Sequence, residues 1–262
     1  MTSHSFSFSI GAVSAPTPLS LAETHEIAQG LLRGWKNTSP KEKFELRQGV
    51  HLGQFAVVYA MAAHAHRLGN AVLTLYRAEM YLESIPTIRC TYEHGLRCMW
   101  GAQYPTAAAA LFNEGYTNRK KMAKSARAGW GIVIELAEEA EGWEPLPSTL
   151  NFTAKNFEAM CKALQPGEDE AYLLYRLMSS MSHPGPHLTN CYLKDDPVTV
   201  QDDPKPIDCP ETWLFILCCS LVWAGSAVDM LHEEHSRRNE LRAVATKLGI
   251  PSELKARKDD LL

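Results

Sequence analysis

Much that would fix a function is missing from this chain. Its seven cysteines are an odd set with no C-x-x-C pair, which argues against both a disulfide framework and a zinc ribbon. Free thiols in a reducing compartment fit better, and a cytoplasmic location is expected. No Lys or Arg precedes the short apolar run in the Ser-, Pro- and Thr-rich first twenty residues, so a secretory leader is not expected there. Residues 1–19 are read as a flexible arm, and 20–262 as a single helical domain.

Charge of one sign is lacking too. A net charge of −4 gives no global attraction to nucleic acid or to anionic membranes, which leaves local patches as the only electrostatic route to either. There is no phosphate-binding loop of the G-x-x-x-x-G-K-[ST] kind and no G-x-S-x-G elbow. Gly129-Trp130-Gly131 lacks both the third glycine and the preceding strand of a dinucleotide fingerprint. None of the ten histidines follows a glutamate by three residues, so the paired E-x-x-H ligands of a di-iron bundle are absent. No metal and no cofactor is expected.

What is present is helical punctuation. Ser20-Leu21-Ala22-Glu23 is a capping box ahead of Leu21, Ala28, Leu31, Leu32 and Trp35 at helical spacing. Ser39-Pro40-Lys41-Glu42 repeats the device, and Phe44, Phe55, Val58, Met61, Ala62 and Ala65 form the stripe of a long second helix. Gly69-Asn70 is a candidate bend or end. Further helices are expected over Ile85–Gln103, Thr106–Arg127, Ile132–Ala140, Thr153–Leu164 and Glu170–Ser182. The last must stop at His183, because Pro184 disfavours helical geometry in the residue before it. A proline-rich irregular connection follows to Asp208, with an extended piece near Val198. One long helix then runs from Asp208 to Leu248. Within it, Trp213–Val228 carries no charge but falls short of the roughly 20 apolar residues of a membrane span, so it reads as a buried core helix. The fold class expected is all-α: an irregular antiparallel helical bundle with one long irregular connection.

The candidate site lies on two of these helices. Arg89 and Glu93 are four apart and can pair on one helical face. Tyr172, Arg176, Ser179 and His183 form a polar stripe, with Tyr175 beside it, in a segment that also holds Leu173, Leu174, Leu177 and Met178. Lys120, Lys124 and Arg127 share a face further upstream, followed by Glu135, Glu138, Glu139, Glu141 and Glu144, which can neutralise them. Each group has a plain structural reading beside the functional one. Arg89–Glu93 can be an ordinary ion pair, Ser179 and His183 can simply end a helix, and the lysines can be a solvated face. His64 and His66 point to nearly opposite sides of their helix and do not chelate one ion. His232 and His235 share a face near Asp229 and Glu234 without a third ligand, and read as a polar surface.

The order Arg89-x-x-x-Glu93, then Tyr172 and Ser179-x-x-x-His183-Pro184, resembles the bacterial family catalogued as domain of unknown function 5677, over roughly Gly53 to Tyr192. That resemblance implies that Arg89, Glu93, Ser179 and His183 belong together. Arg89-x4-His94 and Arg176-x6-His183 are similar to the motif of the HEPN helical nucleases, although Cys90 and Leu177 stand where those motifs carry Asn, Asp or His. This second resemblance implies metal-independent RNA cleavage of the stress or phage-defence kind. Histidine would move protons at the ribose oxygens and arginine would stabilise charge on the phosphate. Arg89, Glu93, Arg176, Ser179 and His183 would be catalytic, and Tyr172, Tyr175, Lys120, Lys124 and Arg127 would hold substrate. RNA and a second copy of the chain are the expected partners, and membranes are not. A non-catalytic helical module that binds a protein or small ligand is the competing reading.

Overall fold

The computed structural model describes residues 19–38, 45–130, 142–195 and 198–257. The N-terminal arm, the Ser39 capping box and the expected helix over Ile132–Ala140 lie outside these residues. The described chain is an all-α bundle with only short strands.

Helix α1 (Leu21–Thr38) opens on the Ser20 capping box: the Glu23 backbone N–H donates to Ser20 Oγ at 3.3 Å, and the Ser20 backbone N–H donates back to the Glu23 carboxylate at 2.9 Å. Helix α2 (Leu52–Arg77) starts eight residues later than its apolar stripe suggested. The described residues before it instead bridge Leu46 to His232 and then turn at Gln48-Gly49. Gly69-Asn70 neither ends nor interrupts α2; Gly69 is buried where a Cβ would press on Leu32 and Leu221.

Helix α3 (Tyr81–Gln103) is the centre of the bundle, packed against α2 and against two later helices, α7 (Glu168–Ser182) and α9 (Pro210–Leu231). Its inner face carries Ile85, Ile88, Tyr92, Leu96, Met99 and Trp100, all buried. At Gly95 it comes so close to α9 that a Cβ would lie 2.8 Å from the Ser220 carbonyl oxygen and 3.1 Å from its Cα. Only glycine allows that approach.

Helix α4 (Ala107–Trp130) leads to two short helices, α5 (Asn151–Lys155) and α6 (Phe157–Lys162), where one continuous helix was expected. Asn156 divides them: its extended backbone ends α5, and its side chain accepts from the Ala159 N–H to start α6. Strand β1 (Leu164–Gln165) precedes α7 (Glu168–Ser182), which stops before His183-Pro184 as expected. The long connection holds α8 (Pro186–Cys191) and an antiparallel hairpin of β2 (Leu193–Asp195) and β3 (Val198–Val200).

The last long helix is two. Helix α9 (Pro210–Leu231) is long and apolar enough to cross a membrane, yet 89% of its most apolar window is buried against the bundle. It ends at His232 because the Leu46 bridge takes its place: Arg47 N–H donates to the Leu231 carbonyl and Glu233 N–H to the Glu45 carbonyl. Asp229 and His235 then build the turn. The Arg237 N–H donates to Asp229 Oδ1 at 2.8 Å, and His235 Nδ1 lies 2.7 Å from the Asp229 carbonyl oxygen. Thus His235 organises a helix break rather than a polar surface. Helix α10 (Arg238–Leu248) follows, and β4 (Lys255–Ala256) returns to pair with β1.

One buried ionic group locks α10 to α1. The Arg237 guanidinium donates to both oxygens of Glu240 and to the Leu31 carbonyl, in a space that exists because residue 34 is glycine. His66, on α2, stacks on Trp35 at 4.2 Å and lies 2.7 Å from the Ala62 carbonyl through Nδ1. Burial pushes its pKa down to about 3, so it is held neutral.

Candidate functional site

Helices α3 and α7 do meet, and Arg89 is where they meet. Its Nη1 donates to Ser179 Oγ at 3.3 Å and to the Tyr175 hydroxyl at 3.4 Å, and the guanidinium lies over the Tyr175 ring at 5.4 Å. Ser179 in turn donates to the Tyr175 carbonyl, and the His183 N–H donates to the Ser179 carbonyl. The contact therefore runs from α3 through the last turn of α7 to the residue that ends it. Arg89 Nε is buried without a partner, which marks this interface as polar but not fully satisfied.

Glu93 does not pair with Arg89. It accepts from Arg97 Nε at 3.1 Å, and Arg97 Nη1 also donates to Glu114 on α4 at 3.0 Å and to the Ala154 carbonyl of α5. Glu93 has an arginine four residues away on either side. Arg97 has the carboxylate and carbonyl of two further helices to hold it there, while Arg89 is drawn to α7. Arg97 was missed in the sequence, although Glu preceding Arg by four is the stronger order for a helical pair.

The polar stripe of α7 is divided by its packing. Leu174 and Met178 are buried, while Tyr172, Tyr175 and Ser179 are half-buried, the last two against Arg89 of α3. Arg176 and His183, two turns apart, stay exposed. Among the described residues neither side chain makes a hydrogen bond or ion pair. Leu173 and Leu177 are exposed beside them, at 64% and 42%. Of the two Arg-to-His spacings, Arg176-x6-His183 is the one whose two members are both exposed. His94 turns away from Arg89 toward α2, where its ring lies 5.1 Å from that of His64.

The basic residues of α4 do gather. Lys120, Lys124 and Arg127, with Ala123 and Ala128, line an open hollow of about 520 Å³. Lys120 Nζ also donates to the Trp143 carbonyl, and Trp143 stacks on Tyr116 at 4.2 Å with Arg119 over the Tyr116 ring. Of the acidic residues that follow, Glu135, Glu138, Glu139 and Glu141 lie outside the described residues. Cys98, Cys218 and Cys219 are buried and their thiols are pushed far up in pKa by desolvation, so they behave as small apolar groups. Compared with known protein families, curated proteins and solved structures, the chain matches none.

Proposed function

We propose that the protein is a HEPN-like, metal-independent RNA-cleaving protein whose chemistry is carried by Arg176 and His183. The observation that supports this most is their placement. Both are exposed and stand seven residues apart, the spacing of two helical turns, Arg176 within α7 and His183 as the residue that ends it, on a helix held by Arg89. The roles follow from their chemistry. His183 takes the proton of a ribose 2′-hydroxyl as it attacks the adjacent phosphorus; the P–O5′ bond breaks and the leaving oxygen takes a proton from water, giving a 2′,3′-cyclic phosphate and a 5′-hydroxyl end. Arg176 holds the charge that builds on the non-bridging oxygens. Arg89, Tyr175 and Ser179 are positioning residues, because they fix the last turn of α7 rather than face solvent. Glu93 belongs to the Arg97 ion pairs. The basic hollow on α4 supplies an anchor for the phosphate backbone. Incubation with single-stranded RNA in excess EDTA tests the reading through the ends produced.

A second reading is favoured by Leu173 and Leu177. Exposed apolar side chains flanking an arginine on one helix face suit a protein partner better than a polyanion. In that case α7 is the recognition helix of a non-catalytic module. RNA is then left intact, and Leu173→Asp abolishes complex formation instead.

A further inference from the structure

The fold separates the two α2 histidines that stand two apart in sequence. It sends His66 into the core and brings His64 to His94 on α3, ring centroids 5.1 Å apart and planes tilted by 60°. Two imidazoles that each give one nitrogen to a tetrahedral ion about 2.1 Å away have centroids about 5 Å apart. The tautomer of His94 also suits a ligand. Its Nδ1 lies 2.7 Å from the Cys90 carbonyl oxygen, which can only accept. The proton therefore sits on Nδ1, and Nε2 keeps its lone pair. A backbone carbonyl holding the other ring nitrogen is the arrangement that orients metal-ligating histidines in general.

Burial, the largest cause, lowers the pKa of His94 from its ordinary value against the opposing effects of the Cys90 hydrogen bond and Glu93. His64 is exposed, which leaves one side of the pair open to solvent.

From this geometry we propose that His64 and His94 form a binding site for a late first-row divalent cation, of the zinc and nickel class, bridging α2 and α3. Imidazole donors select that class over magnesium and calcium, which take oxygen ligands. Among the described residues no group of three or more His, Cys, Asp or Glu side chains is placed to hold an ion, so water completes the coordination here. The site is accordingly an exchanging one rather than a structural one with four protein ligands. It is independent of the RNA reading, which uses α7.

The test is calorimetric titration of EDTA-treated full-length protein with NiCl₂ and with ZnCl₂, alongside thermal unfolding with and without each ion. One equivalent should bind, and the bound ion should raise the unfolding temperature. His64→Ala and His94→Ala should each weaken binding at least about tenfold and remove the thermal shift. His64 is a surface residue, so its variant should fold whatever becomes of His94→Ala. A control variant, His232→Ala with His235→Ala, should leave the high-affinity equivalent in place. Binding that persists unchanged in His64→Ala, or no binding by the native protein, would overturn the proposal.

Discussion

Arg89 on α3 and Ser179 on α7 are joined by a hydrogen bond of 3.3 Å across ninety residues of sequence, and the Tyr175 ring lies beneath the same guanidinium. This one arginine ties the central helix of the bundle to the helix that carries the proposed chemistry. Replacing it by methionine keeps much of the apolar stem and removes both hydrogen bonds and the cation–π contact. Arg89→Met should cost about 1–2 kcal/mol in urea denaturation, and Tyr175→Phe less than that.

The ion pair of α3 gives a second expectation. A double-mutant cycle between Glu93 and Arg97 should show coupling of about 1 kcal/mol, since both side chains are less than one-third exposed and Arg97 is held by Glu114 as well. The cycle between Glu93 and Arg89 should show less than about 0.5 kcal/mol. Coupling of the opposite order would mean that the arginines exchange partners in solution.

Glycine at the α3–α9 crossing gives a third. Gly95→Ala pushes a methyl group into the Ser220 backbone, which cannot swing aside as a side chain could, and should destabilise by about 2–3 kcal/mol. Gly30→Ala, in α1 with open space around its Cβ position, should instead stabilise by about 0.5–1 kcal/mol. Thermal or urea unfolding of the two variants separates a packing glycine from an incidental one.

Buried His66 sets a pH dependence. Its native pKa of about 3 lies below the ordinary 6.5, so under pH 6.5 the unfolded chain takes up a proton that the native state refuses. Stability is unaffected by this group above pH 6.5 and falls steadily from there toward pH 3. Between pH 7 and pH 5 the native protein should lose about 2 kcal/mol more than His66→Phe, which keeps the stack on Trp35 but has no proton to bind. Urea midpoints at the two pH values measure the difference.

Local signals in the sequence carried most of the helices. The Ser20–Glu23 box and the His183-Pro184 stop operate within one turn of chain, so they read correctly without any knowledge of the fold. Asn156, which caps α6 and splits the expected Thr153–Leu164 helix, was a local signal passed over; the other failures are long-range. Nothing near Leu231 says that its carbonyl will be claimed by Arg47, and that claim is what splits the expected Asp208–Leu248 helix. Glu93 lies equally spaced from Arg89 and Arg97, and only the arrival of Glu114 and Ala154 from other helices decides between them. The stripe from Tyr172 to His183 was legible as polar, but its division into half-buried and exposed members depends on where α3 lies against it. The His64–His94 pair joins residues thirty apart on neighbouring helices, and their proximity depends on the register between those helices.

The most direct measurement compares three variants on one labelled single-stranded RNA in excess EDTA, each first matched to the native protein by circular dichroism. Native protein should leave cyclic phosphate ends, and His183→Ala and Arg176→Ala should abolish cutting with unchanged melting temperature. Arg89→Met should slow cutting together with a loss of stability. Intact RNA with native protein, or cutting that survives in both Arg176→Ala and His183→Ala, would contradict it.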